Sequence, residues 1–243
     1  MILWPQPDGS VIATPQPAHA LIAGQLMRHL ADRPEPFEPA CTAAAQHDVA
    51  WMPWEEAPEY DPATGLPRAF NALPGEQHVA LWRAGVATAR ANWGRWVALL
   101  VMRHGSFIYS LGMLSPRVRP TPAGRAAMEA YIAWEKAETA RLIAELGSSE
   151  QAVASLSARI AMVDAIALAL CWGHQRFDCA GLCTLARSGP FAASLSPWPL
   201  AVPRLVVATE AMRLPSRFAD AGEMRAGLSA APRFELAFEL TPG

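Results

Sequence analysis

The stretch SARIAMVDAIALALCW, residues 157–172, decides how the rest of the chain is read. It belongs to an apolar run that reads as a helix from about 149 to 172, and it carries one carboxylate, Asp164. On a period of 3.6 residues Val153, Leu156, Ile160, Val163, Ala167 and Cys171 form the inward stripe, with Asp164 on it or at its edge. Burying an ionised carboxylate costs several kcal/mol unless a cation or hydrogen bonds compensate. Asp164 therefore needs a partner: an arginine such as Arg103 or Arg159, a backbone donor, or a cation held by other side chains.

Working outward, the chain supplies residues for the last option. Of its six histidines, His19, His47, His78 and His104 fall one each on the first four predicted helices. His19 shares a face with Ile22, Ala23, Leu26 and Leu30 on a helix that opens at Thr14-Pro15 and runs to about 31. His47 shares a face with Ala40, Ala43, Ala44 and Trp51 on a helix over about 40–52. Its neighbour Asp48 is turned by about 100°, so both can reach one cavity. His78 lies on a helix over about 75–92, and His104 ends the helix RWVALLVMRH, where Gly105 reads as the C′ stop. Each histidine alone reads as a hydrogen-bonded core residue. Imidazoles and carboxylates converging from separate helices are how a bundle builds a metal cage.

The order His19, His47-Asp48, Asp164 resembles the HD-domain superfamily of metal-dependent phosphohydrolases, and His78 and His104 resemble the two extra histidines of its bimetallic members. The blocks QPAHA, AAQHDVAWMPWEEAP, DPATGLPRAF, ALLVMRHG and VDAIALALC are also similar to those of an uncharacterised bacterial domain family with no assigned reaction. The HD resemblance implies a bimetallic hydrolase of a small phosphate ester or nucleotide. His19, His47, Asp48 and Asp164 would hold one ion and His78 with His104 the other, Asp48 bridging. Two such ions activate a water and clamp phosphoryl oxygens. Nitrogen and oxygen donors allow iron, manganese, zinc or magnesium, with the imidazoles arguing against magnesium alone; the resemblance puts iron or manganese ahead of zinc or magnesium. The same ligand order resembles di-iron oxygenases that cleave C–C or C–P bonds, and a catalytically silent metal-binding or sensor module is the third reading.

Around that set, Trp51 and Trp54 are candidates for the pocket wall, Glu55 for an acid, base or partner of a ligand histidine, and Arg103 for an anion-binding group. The bland readings are core packing, helix capping and a salt bridge. A separate cluster, Cys171, His174, Cys179 and Cys183 in CWGHQRFDCAGLC, offers zinc-type ligands, but its spacing is irregular.

The remaining sequence sets the frame. The 243 residues are 52% hydrophobic and 17% charged, with a net charge of −2, which suits a single domain over 1–243 with a full core. The twenty Lys and Arg are scattered, so no nucleic-acid partner is expected. The continuous apolar runs fall short of the roughly 20 residues of a membrane span. The start, MILWPQPDGS, does not read as a signal peptide, and a cytoplasmic location is expected. The expected ligand is a small anionic substrate, and a homodimer is allowed.

ILWP and SVIAT flank the Asp8-Gly9 turn as a hairpin. The Pro-rich segment 53–74 is long enough to be an ordered functional loop. SPRVRPTP at 115–122 breaks the helices, and a helix with a charged, solvated face follows over 123–146, stopped by Gly147. RLVVATEAM and RFELAFEL read as strands, the latter with Phe234, Leu236, Phe238 and Leu240 on one face. The expected fold is mainly α, an HD-like helical bundle over 15–172, with a small β appendage from 1–14 and 197–243, α+β overall.

Overall fold

The computed structural model of the protein describes residues 1–114 and 121–243. Most of the predicted break at 115–122 therefore lies outside the described residues. The chain begins with the expected hairpin, β1 (Ile2–Pro5) and β2 (Val11–Thr14), and continues into α1 (Gln16–Arg28) and α2 (Phe37–Gln46). A 3₁₀ turn, Val49–Trp51, leads into the short α3 (Met52–Glu56), and the loop beyond carries the two-residue strands β3 (Tyr60–Asp61) and β4 (Leu66–Pro67). Then come α4 (Gly75–Leu114), α5 (Pro122–Leu146) and α6 (Glu150–Trp172). The C-terminal part holds β5 (Arg176–Cys179), β6 (Cys183–Gly189), β7 (Ala192–Ser196), β8 (Leu205–Leu214), α7 (Ala221–Ala230) and β9 (Arg233–Pro242).

The mainly helical HD-like bundle is not what forms. Seven strands make one sheet in the order β1-β2-β8-β9-β7-β6-β5, with β7 and β9 parallel and every other neighbouring pair antiparallel. Three of these strands, β5, β6 and β7, lie outside the expected β appendage of 1–14 and 197–243. They were hidden because CWGHQRFDCAGLC reads for its ligand types and because β5, β6 and β7 are short segments between tight turns. The physical consequence is that α1 and α6 bury one side against strands rather than against further helices. Ile22, Leu26 and Leu170 share one core with Val207, Leu236, Phe238 and Leu240.

Two polar clamps fix α1 on the sheet. The Gln25 side chain donates to the Ala208 carbonyl at 2.7 Å and accepts from its amide at 3.0 Å, and the Thr209 hydroxyl donates to the Ala18 carbonyl at 2.7 Å. The far end of α6 is held by Arg187 of β6, which donates to the Leu170 carbonyl at 2.9 Å, satisfying a helix terminus that would otherwise lack partners. The start of α6 is capped by the Ser149 hydroxyl. By length and composition α6 could cross a membrane, but most of its apolar window is buried inside the protein.

The long α4 is two antiparallel legs that meet at Gly94, whose φ of 85° lies in the left-handed region where glycine carries no Cβ penalty. Trp82 on the first leg donates to the Val101 carbonyl on the second at 3.1 Å. Gly105 does not stop the second leg as its sequence context suggested. The helix runs on to Leu114, and Gly105 is small because Trp82 and the Tyr131 hydroxyl press on the place a Cβ would occupy. Similar close approaches join α1 to α2, where Gly24 meets Ala45, and α4 to the 3₁₀ turn, where Gly85 meets Ala50. Small residues at these crossings bring the helices close enough for short side chains to meet between them.

Candidate metal centre

Four elements deliver five buried polar side chains to one place. His19 comes from α1, His47 and Asp48 from the end of α2, His104 from the second leg of α4 and Asp164 from the middle of α6. All five have at most 8% relative exposure. The helix expected over 40–52 ends at Gln46 instead, and Asp48 leaves helical geometry at φ −103°, ψ 20°. That departure, rather than the 100° step of a continuous helix, aims the pair inward together.

The centre of the arrangement is one oxygen. His19 Nε2 lies 3.0 Å and His47 Nε2 3.1 Å from Asp164 Oδ1. His104 Nε2 lies 3.5 Å from Asp164 Oδ2. Asp48 Oδ2 stands 3.8 Å from His47 Nε2 and 3.6 Å from His19 Nδ1. The other ring nitrogens of two of the histidines are already engaged. His19 Nδ1 donates to the Gln16 carbonyl at 2.6 Å and His47 Nδ1 donates to the Ala44 carbonyl at 2.7 Å. A carbonyl oxygen can only accept, so Nδ1 carries the proton in both rings, and each Nε2 presents a lone pair to a carboxylate oxygen that is itself an acceptor. Acceptors facing at 3 Å need a proton or a metal ion between them.

The electrostatics agree. Burial opposes the charge on His47, but Asp48 and Asp164 outweigh it and raise its pKa to about 9. Burial also opposes ionisation of Asp164, yet His47, His19 and His104 hold its carboxyl well below the usual carboxylate range. Asp48 goes the other way: burial pushes its carboxyl up against the pull of His47 and His19. His104 is pushed down to about 3 by burial and by the charge of His47, and its Nδ1 is buried with no hydrogen-bond partner.

Donor atoms of His19, His47 and Asp164 all lie within 4.8 Å of one another, as do those of His47, Asp48 and His104. Nitrogen and oxygen donors at this spacing, two of them with a carbonyl fixing the far side of the ring, fit a divalent transition-metal ion. These buried groups could bind a metal ion.

The other sequence candidates stand elsewhere. His78 is in neither group. Its Nδ1 pairs with the Tyr109 hydroxyl at 2.9 Å, and its ring stacks on Trp82 with centroids 5.2 Å apart. Burial pushes it down to about 4. Trp51 is buried and packs edge-on against His78, Trp54 and Phe70. Arg103 points away from the cluster into an ion pair with Glu150 at 2.7 Å. Glu55 Oε1 accepts from the Gln16 amide at 3.1 Å and lies 2.6 Å from the Met1 amino group. It thereby supplies an acceptor at the start of α1, where Pro15 takes the capping position and offers no side-chain cap. The zinc reading of Cys171, His174, Cys179 and Cys183 does not assemble: among the described residues these four form no group able to surround one ion. The carbonyls of Gln16 and Ala44 were missed in the sequence, since every residue type carries one.

Fold and site together define an α+β protein with a buried His/Asp cluster able to hold a metal ion. The chain belongs to the family described as protein of unknown function (DUF3891), whose model matches residues 1–216. That span includes all five cluster residues. No curated protein and no solved structure matches the chain.

Proposed function

We propose that the protein is a metal-dependent hydrolase acting on a small phosphate ester, with an ion held by His19, His47 and Asp164 and flanked by Asp48 and His104. The observation that carries this reading is the convergence of two imidazole Nε2 atoms, at 3.0 and 3.1 Å, on Asp164 Oδ1 while both Nδ1 atoms are committed to carbonyls. The ligand order shared with HD-domain hydrolases supports it, as an analogy of site rather than of fold.

His47 belongs to both donor groups and has one free ring nitrogen, so the reading is of one ion at a time rather than two. A bound ion supplies Lewis acidity and a water of lowered pKa. The chain's own residues do the rest. The Gln16 and Ala44 carbonyls keep the Nε2 lone pairs of His19 and His47 aimed at the ion. Asp48, with Oδ2 3.6 Å from His19 Nδ1 and 3.8 Å from His47 Nε2, is placed beside the centre to accept a proton from an attacking water. The Asp164 side chain keeps 11% exposure, the most among the five cluster residues, and marks the side from which a substrate reaches the centre.

A second reading rests on composition. His19, His47 and Asp164 are the two histidines and one carboxylate that non-haem iron oxygenases use. One experiment separates the two. The purified protein is loaded with manganese or ferrous iron and assayed on nitrophenyl phosphate esters with and without oxygen. Phosphate release that is independent of oxygen supports the hydrolase. Oxygen consumption with iron alone supports the oxygenase, and bound metal with neither turnover leaves a binding module.

A further inference from the structure

The cysteines that fail to surround a metal are arranged in a way that serves another chemistry. In the β5–β6 hairpin Cys179 and Cys183 are direct cross-strand partners, so their side chains leave the same face of the sheet. Directly opposed residues of an antiparallel pair sit about 4.5–5.5 Å apart at Cα, inside the roughly 4.4–6.8 Å that a disulfide spans. The register is tightly fixed. Ala180 at φ 57° and Gly181 at φ 69° take left-handed backbone in the turn, Asp178 Oδ1 accepts from the Gly181 amide at 3.0 Å, and the Leu182 amide donates to the Cys179 carbonyl at 3.1 Å.

We propose that Cys179 and Cys183 form a dithiol modification site, which a peroxide converts to an intramolecular disulfide across the β5–β6 hairpin. The Cys183 thiolate attacks hydrogen peroxide; an S–O bond forms, the O–O bond breaks and hydroxide leaves, so the sulfur is oxidised to a sulfenic acid and the peroxide is reduced. The Cys179 sulfur then attacks that sulfur, an S–S bond forms, and the S–O bond breaks. The hydroxyl departs with the Cys179 proton as water. Two thiols and one peroxide give one disulfide and two waters.

The order of attack follows from the pair itself. Cys183 keeps 4% exposure and Cys179 none, so peroxide meets the Cys183 sulfur first, and its neighbour holds the Cys183 thiol below the ordinary range. Both are buried, but residues 180–182, which join them, are exposed, so the pair lies at the solvent end of the hairpin. The other two cysteines are poor competitors. Burial pushes Cys171 up to about 12 and raises Cys41 as well, and inert buried thiols react slowly.

Arg176 and Arg187 bracket the pair, so trypsin releases residues 177–187 as one peptide holding Cys179 and Cys183 and no other cysteine. The folded protein is treated with hydrogen peroxide, quenched, denatured, alkylated with iodoacetamide and digested without reductant. The expected peptide is unalkylated and lighter by two hydrogens than its reduced form, while Cys41 and Cys171 appear alkylated. Peroxide treatment of Cys183→Ser should leave Cys179 alkylated or singly oxidised, with no such peptide. Two alkyl groups on the peptide, independent oxidation of each sulfur to a sulfinic or sulfonic acid, or a disulfide reaching Cys41 or Cys171 would each overturn the proposal.

Discussion

Two regions of this chain are rich in metal-ligand side chains, and they fold to opposite outcomes. His19, His47, Asp48, His104 and Asp164 are scattered over four helical elements, yet their donor atoms meet. Cys171, His174, Cys179 and Cys183 fall within thirteen residues and, among the described residues, surround nothing. The difference lies in what holds each set. The first is delivered by helices whose crossings are narrowed by Gly24, Gly85 and buried alanines. The second straddles a helix end and a strand turn, so Cys171 stays in the core of α6, His174 stacks on Phe177 at 4.9 Å between ring centroids, and only the cross-strand cysteines meet. Closeness in sequence is a poor guide to a cage; convergence of rigid elements is a better one.

The contrast can be broken by mutation. Asp164→Ala is expected to have the largest effect. It removes the carboxylate on which His19 and His47 converge and leaves His47 only the more distant Asp48, 3.8 Å away; breaking a buried ion pair costs about 3–5 kcal/mol. Metal content should vanish, and the denaturant midpoint of the metal-free protein should fall by a corresponding amount. Retained metal together with an unchanged midpoint would remove Asp164 from the site.

The metal-free protein should also show a pH signature. His47 titrates near 6.5 when unfolded and near 9 when folded. Its contribution is therefore complete below pH 6.5 and is lost as pH rises through 9. Denaturation midpoints measured from pH 6 to 10 should decline across that window in the metal-free state. Metal affinity should run the other way and rise with pH, because the ion displaces the imidazolium proton. A midpoint flat from pH 6 to 10 would contradict the imidazolium.

Glu55 gives a finer test. It touches no ligand histidine, but it bonds the amide of Gln16, whose carbonyl orients His19. Glu55→Ala is expected to weaken metal binding by about 10-fold or somewhat more, and Glu55→Gln, which keeps an acceptor, to recover most of that loss in a metal titration. Equal affinity in both variants would show that the contact only packs. At the small end, His174→Ala should leave metal content unchanged; a loss there would revive the cysteine-rich segment as a site.

Much of this organisation was legible beforehand. Asp164 was recognisable as a buried carboxylate in want of a cation because its helix is apolar on every side but one. His19 and His47 were recognisable because each follows an inward stripe. The alternation in RFELAFEL announced β9, whose Leu236, Phe238 and Leu240 are buried. Less legible was whatever depends on tertiary contact. Short strands between turns carry too little periodicity to reveal β5, β6 and β7, so the sheet was underestimated and the bundle overestimated. His78 has the same spacing logic as its neighbours, but the first leg of α4 directs it to Tyr109 and Trp82. Arg103 sits one residue from His104, and one step around a helix turns it to Glu150.

The central claim is that the His/Asp cluster holds a metal ion, and elemental analysis of the purified native protein beside Asp164→Ala tests it most directly. The account predicts about one equivalent of a first-row transition metal per chain in the native protein and none in a folded Asp164→Ala. The same metal content in both proteins would contradict it.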